Sequence, residues 1–243
     1  MSARRATTPW PPLKRWVWGR EALLLKKYEA ETCGQFDRVV TVTEEDRKIL
    51  EGMAGGQVGG RTVFSTIPIC VDTAEVPAVQ PAKEGMNVLH MGTMFWPPNV
   101  EGMLWFGREV WPRVATELPQ ACLAIVGKNP PAQIQSLGGD GRVVVAGYAA
   151  DAQPWLERAG AFIVPLMSGG GMRVKIVDAW RWGLPVISTT IGAEGISYRD
   201  GENILIADTA EDFARAVVRV LSDDELNRRL RLNGRKGVEE RYD

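Results

Sequence analysis

Gly169, Gly170 and Gly171 are followed by Met172, two cations (Arg173 and Lys175) and one acid, Asp178. Glycine lets a backbone come close to an anion and reach positive φ. A helix starting near Met172 would present unpaired amides and a partial positive charge to whatever lies before it. Arg173 offers forked donors, and Lys175 offers a point charge. This combination suits a diphosphate. Asp178 follows Lys175 by one turn on the same face and suits the vicinal hydroxyls of a ribose. The plainer alternative is a flexible turn followed by a surface Lys175–Asp178 pair worth ~0.3 kcal/mol. Spacing alone favours that alternative, because a lone glycine-rich loop is a weak signal. The position of the loop in the fold has to decide.

Apolar runs at Asn87–Met91, Ala121–Val126, Arg142–Ala146, Ala161–Pro165, Pro185–Ser188 and Asn203–Ile206 read as strands. Helical patterns alternate with them at Val100–Glu117, Pro131–Leu137, Ala152–Arg158, Arg173–Trp182 and Ala210–Leu221, and a charged helix, Asp224–Arg241, closes the chain. Asn99, after Trp96 and two prolines, reads as a helix N-cap. Alternation of this kind predicts an α/β fold, a doubly wound Rossmann-like parallel sheet with strand order 3-2-1-4-5-6. That order reverses between the first and fourth strands and opens a crevice at their carboxyl ends. The loops facing it would be Gly92–Asn99, Met167–Met172 and Thr189–Gly195. A dinucleotide-binding Gly-x-Gly-x-x-Gly should follow the first strand, but Gly92, Thr93, Met94, Phe95, Trp96 and Pro97 stand there.

The first 80 residues show a helix at Arg20–Thr32, a strand at Arg38–Thr43, a short helix after a Thr43/Asp46 capping pair, and a strand at Thr62–Ile69. Two strands and two helices cannot close a sheet core. Residues 1–80 are therefore expected to be the remnant of a second, partial α/β domain, and 81–243 a complete one. Val76–Glu84, with Pro77 and Pro81, reads as the linker.

Composition narrows the function. A net charge of −1 gives no overall field for nucleic acid. No apolar run approaches the ~20 residues of a membrane span. Cys33, Cys70 and Cys122 are odd in number and far apart, which suggests neither a disulfide framework nor a zinc site. His90 is the only histidine, which excludes a two-histidine mechanism. A buried, hydrogen-bonded role is expected for it, and packing roles for Trp180 and Trp182. Arg4–Lys27 combines cations with Trp10, Trp16 and Trp18. It reads either as a solvated tail leading into a helix or as a stretch that lies on an anionic membrane surface. The expected location is the cytoplasm, with the inner face of the membrane as the alternative.

From about Tyr28 onward the chain resembles GT-B glycosyltransferases of family 4, a retaining group. The marks are Phe36–Asp46, Ile67–Asp72, Met91–Asn99, Ala124–Gly127, Gly169–Thr189 and Gly192–Gly195, taken in order. The resemblance implies two Rossmann-like domains, the C-terminal one holding a nucleotide-diphosphate sugar and the N-terminal one supplying most of the acceptor site. It implies that Ser168, Gly169, Gly170, Gly171 and Met172 take the diphosphate. Arg173 and Lys175 would neutralise the leaving nucleotide, with no metal and no cofactor required. Asp178 matches the second acid of the family's Glu-seven residues-Glu motif and would contact the ribose. Gly147 and Tyr148 would lie near the base. Gly92, Thr93, Thr189, Gly192 and Glu194 would border the sugar and phosphates, with Glu194 either touching the sugar or bonding local backbone.

There are departures. Gly170 stands where the first acid belongs, and Met94–Pro97 replace the usual basic residues. Most of the N-terminal domain is missing from the match. The expected function is sugar transfer to a saccharide or lipid-linked acceptor, in a chain incomplete for catalysis. The alternatives are a non-catalytic nucleotide-sugar-binding module and, last, a nucleotide-sugar epimerase.

Overall fold

The computed structural model describes residues 12–55, 62–74, 78–79, 86–139 and 141–243, with side chains from Trp16 onward. Trp10 and all of the Val76–Glu84 linker except Ala78 and Val79 lie outside the described residues. The chain forms two compact units, Met1–Ile69 and Cys70–Asp243.

This division falls before the expected 80/81 boundary, because the intervening segment is tied to the second unit. The Val71 amide donates to Tyr242 O at 2.6 Å, and the Val79 amide donates to Trp182 O at 2.9 Å. The Thr73 amide and hydroxyl both donate to the Asp243 carboxylate, at 3.0 and 2.6 Å. Pro77 and Pro81 punctuate the sequence, but these long-range bonds leave no local trace in it.

The first unit contains α1 (Pro12–Cys33), β1 (Arg38–Thr41), α2 (Glu44–Ala54) and β2 (Val63–Thr66). β1 and β2 pair in parallel, Arg38 opposite Val63. Thr43 caps α2, its hydroxyl accepting from the Asp46 amide at 3.0 Å. Among the described residues of this unit the buried side chains are small (Ala30, Cys33, Thr41, Thr43 and Ala54), while Val40, Val63, Ile67 and Phe36 are exposed. From Trp16 to Lys27 the α1 side chains are exposed.

The second unit contains β3 (Asn87–Met91), α3 (Pro97–Trp105), a π-helical turn (Phe106–Val110), α4 (Trp111–Glu117), β4 (Cys122–Val126), α5 (Ala132–Gln135), β5 (Val143–Gly147), α6 (Gln153–Glu157) and β6 (Ala159–Val164). It continues through α7 (Val174–Arg181), β7 (Val186–Ser188), β8 (Leu205–Ile206), α8 (Ala210–Ser222) and α9 (Asp224–Arg241). The six strands are parallel and run β5-β4-β3-β6-β7-β8, the predicted 3-2-1-4-5-6. β6 is buried at every position, as a central parallel strand covered on both faces must be. Alternate strand residues enter two cores. Val88, Leu123, Ile125, Ala161 and Ile163 pack with Phe106, Phe213 and Val217. Leu89, Ala124, Phe162, Val164 and Val186 pack with Ile176, Val177, Trp180 and Val238.

One expected helix differs. Val100–Glu117 is entered earlier, at Pro97, and is interrupted by the π turn, where the Trp111 amide reaches back to Phe106 O. Pro112 follows immediately. Its ring crowds the preceding turn and it has no amide to donate, and a wide turn relieves that crowding.

Candidate functional site: the glycine loop at the sheet reversal

β3 and β6 are neighbours, Asn87 opposite Ala159 and Leu89 opposite Phe162. The loops that leave them therefore diverge at the carboxyl edge, and Met167–Met172 is the loop after β6. Gly169 and Gly171 have φ of 125° and 82°, which only glycine adopts without strain. Gly170 is open, with no heavy atom near a Cβ built there. α7 starts at Val174 rather than Met172, with Arg173 as its N-cap at φ −91°, ψ 75°. Among the described residues, no protein acceptor takes the backbone amides from Gly170 to Lys175. That is a continuous run of free donors at a helix start.

The two cations behave differently. Lys175 does not pair with Asp178. Its ammonium donates to Asn99 Oδ1 at 2.6 Å, and Asp178 pairs instead with Arg181 at 3.3 Å. Burial pushes the Lys175 pKa down to about 8, and the Arg173 charge adds to that shift. Burial also pushes the Asp178 pKa up, against the pull of Arg181.

Arg173 is 5% exposed and is folded under its own loop. Its Nη1 donates to Gly170 O at 2.5 Å and Gly171 O at 3.1 Å. Nη2 lies 3.9 Å from Glu194 Oε2, an ion pair too long for a hydrogen bond. Nε, Nη2 and Glu194 Oε2 are buried without hydrogen-bond partners. The guanidinium lies over Trp96, 5.9 Å from the ring centroid. It braces the loop from beneath and keeps donors in reserve.

Asn99 is the residue the sequence misplaced. Trp96 is the N-cap and Pro97 the first helical residue, as proline's preference for that position would indicate. Asn99 therefore sits inside the first turn, 2% exposed, with its side chain turned inward. Its Nδ2 donates to Thr93 O at 2.9 Å. Gly92 is intolerant of a side chain, since a Cβ there would lie 2.8 Å from Asn99 Nδ2, 3.0 Å from Lys175 Nζ and 3.3 Å from His90 Nε2. His90 is fully buried, and its Nδ1 pairs with Ile163 O at 2.9 Å, in the structural role expected. Burial first, then the Lys175 charge, pushes its pKa down to about 3. Gly127, which the sequence marks only as the end of Ala124–Gly127, has a packing role: a Cβ there would fall 1.7 Å from Gly92 O.

The remaining candidates divide. Ser168 donates to Glu101 Oε2 at 3.2 Å and lies on the same loop. Gly147, at φ 66°, has its carbonyl taken by the Gly127 amide at 2.7 Å. Tyr148 is 65% exposed beside Lys128, whose Nζ stands 4.4 Å from the ring centroid. Thr93 is exposed on the loop after β3, and Met172, at the end of the glycine loop, packs partly buried against the second core. Thr189 is 1% exposed; its hydroxyl donates to Leu166 O and accepts from the Gly192 amide. It shapes the edge rather than facing it. Gly192 is likewise a packing residue, because a Cβ would meet Ser188 Oγ and Val164 O at 2.4 Å. Trp180 is buried, its indole N–H donating to Asn203 O, a packing role as read. Among the described residues, no three His, Cys, Asp or Glu side chains cluster as metal ligands, and no helix is long and apolar enough to cross a membrane.

The family model for glycosyl transferases group 1 matches residues 85–223, more than half of the chain and the whole of this sheet. The chain belongs to that family. Among its curated relatives are a 44.6 kDa protein of the cps region of Klebsiella pneumoniae, 27% identical over 70% of this chain and 47% of that protein. The lipopolysaccharide core biosynthesis glycosyltransferase LpsE of Rhizobium meliloti is 37% identical over 40% of this chain and 29% of that protein. The chain thus spans less than half the length of these relatives. Of solved structures, S. aureus TarM superposes with a TM-score of 0.70 at 19% identity, covering 90% of this chain and 43% of that one. Anabaena HepE, solved with UDP and glucose, gives 0.68 at 15% identity, covering 88% and 61%. At such identities the likeness concerns the fold, a GT-B Rossmann-like domain.

Proposed function

We propose that the second unit binds a nucleoside-diphosphate sugar at this edge, and that the protein of which it forms the donor half transfers the sugar to a saccharide or lipid-linked acceptor. The observation that carries this reading is the run of free amides from Gly170 to Lys175 at the β3/β6 reversal, with a partly buried ammonium beside it and no carboxylate paired to that ammonium. A diphosphate would accept from those amides. Lys175 would supply the countercharge in a setting shielded from water, where it counts most. In the reaction, negative charge grows on the leaving diphosphate as the glycosidic bond breaks, and Arg173 and Lys175 would stabilise it without a metal ion. Asp178 would accept from the ribose hydroxyls once its contact with Arg181 opens. The UDP held by HepE supports this choice of ligand class.

Gly170 favours a second reading. The family's first acid is missing there, so a nucleotide sugar could be held without being turned over.

Calorimetry with UDP, GDP and ADP tests the site. One of them is expected to bind, with Lys175→Ala and Arg173→Ala each weakening it by about tenfold or more, ~1.4 kcal/mol. Unchanged affinity in both variants would remove the site. Transfer of radiolabelled sugar from the matching donor separates the two readings. Turnover at ordinary enzyme rates excludes the binding module, and binding without turnover supports it.

A further inference from the structure

We infer that Asn99 is a positioning residue for Lys175: it fixes the ammonium with a neutral oxygen, so that the full positive charge is left for the donor's phosphates. This rests on the donor-site reading above. The geometry is specific. Asn99 Oδ1 takes Lys175 at 2.6 Å while its Nδ2 is anchored on Thr93 O at 2.9 Å. The amide therefore cannot rotate without losing both bonds, and it links the loop after β3 to the first turn of α7.

The groups facing Lys175 from each packed element carry no negative charge. From β3 comes His90, whose Nδ1–H is spent on Ile163 O, leaving Nε2 bare and neutral. From the glycine loop comes Arg173, a like charge. From α3 comes Asn99 itself. The acids nearby are committed elsewhere: Asp178 to Arg181, Glu101 to Ser168, and Glu194 toward Arg173.

A carboxylate in place of Asn99 would have the same shape and would bind the ammonium more strongly. It would also cancel the charge that an anion is meant to meet. Repulsion between that carboxylate and a diphosphate would add to the loss. Asparagine thus orients the lysine without neutralising it. The arrangement also predicts that diphosphate binding weakens as pH rises above about 8, where unliganded Lys175 loses its proton.

The test is Asn99→Asp in the full chain, with thermal melting as the check on folding. Lysine-selective carbon NMR, with Lys175 assigned from Lys175→Arg, should show its pKa rising by about one unit or more, as expected for a new opposite charge. Whichever of UDP, GDP and ADP binds the wild type should bind the variant about tenfold or more weakly. The matching nucleoside should bind both alike. The alkaline fall in diphosphate affinity should move to higher pH. If the aspartate variant does not fold, Asn99→Ser carries the test, with the Lys175 pKa expected to drop because the ammonium loses a short acceptor while staying partly buried.

A Lys175 pKa unmoved by the substitution overturns the inference, as does a folded aspartate variant with unchanged diphosphate affinity. A wild type that binds no nucleoside diphosphate while the pKa moves as stated overturns the donor-site reading and leaves only the Asn99–Lys175 pairing.

Discussion

At the scale of single residues, the partners that Arg173, Lys175 and Asp178 take depend on where α7 and α3 begin. A start at Val174 turns Arg173 beneath the loop. A start at Pro97 turns Asn99 inward to Lys175. One shift of helix register therefore hid the residue that holds the lysine. His90 is a buried structural residue, and its burial has a measurable consequence. Its pKa is near 6.5 in the unfolded chain and about 3 in the fold. Between those values the unfolded chain binds a proton that the folded chain refuses. Its contribution to stability is whole above pH 6.5 and is lost as pH falls toward 3, with a slope of at most about 1.4 kcal/mol per pH unit. His90→Asn keeps a donor at the δ position for Ile163 O and cannot titrate. Urea unfolding from pH 7 to 4 should show the wild type losing this increment relative to the variant; a difference independent of pH would mean that the histidine is not held neutral.

At the scale of elements, strand and helix order could be read because each apolar run is short and punctuated. β3 and α9 fall on their predicted bounds. What could not be read are features set by neighbours in space. The π turn answers to Pro112 and to packing at Gly107, where a Cβ would meet Leu137 at 2.8 Å. Gly127 answers to the passage of Gly92 across it. Two glycines near the site therefore differ in kind. Gly171 needs its positive φ but has open space around it. Gly171→Ala is expected to cost about 1 kcal/mol, from backbone conformation alone. Gly127→Ala must push the Gly92 carbonyl aside, and with it the loop that contacts Asn99, His90 and Lys175. A cost of about 2–4 kcal/mol is expected, with loss of nucleotide binding. Chemical denaturation of both variants checks the ordering. Equal costs would show that the loops separate more easily than the close approach implies.

At the scale of the whole chain, the reversal of strand order is what places the glycine-rich turn at the edge where the donor is proposed to bind, and it follows from an α/β alternation that the sequence displays openly. The domain boundary was less legible, because Val71, Thr73 and Val79 are claimed by the second unit through bonds to Trp182, Tyr242 and Asp243 that lie far along the chain. The two units also differ in what could sustain them. The second has a sheet with apolar cores on both faces and every residue assigned to the donor. Among its described residues, the first has two short strands and buries mainly small side chains, a core far below what an independent domain of that size needs. A chain of residues 70–243 is therefore expected to melt cooperatively and to bind the same nucleoside diphosphate within about twofold of the full chain. Residues 1–69 alone should show no cooperative transition. Cutting instead at the boundary expected from sequence, to give residues 81–243, removes the strap that bonds Tyr242, Asp243 and Trp182, and should lower the melting temperature relative to 70–243. Calorimetry and thermal melting of the three fragments decide it. If 70–243 folds but has lost the nucleotide, the first unit contributes to donor binding, and the assignment of the site to the second unit alone is wrong.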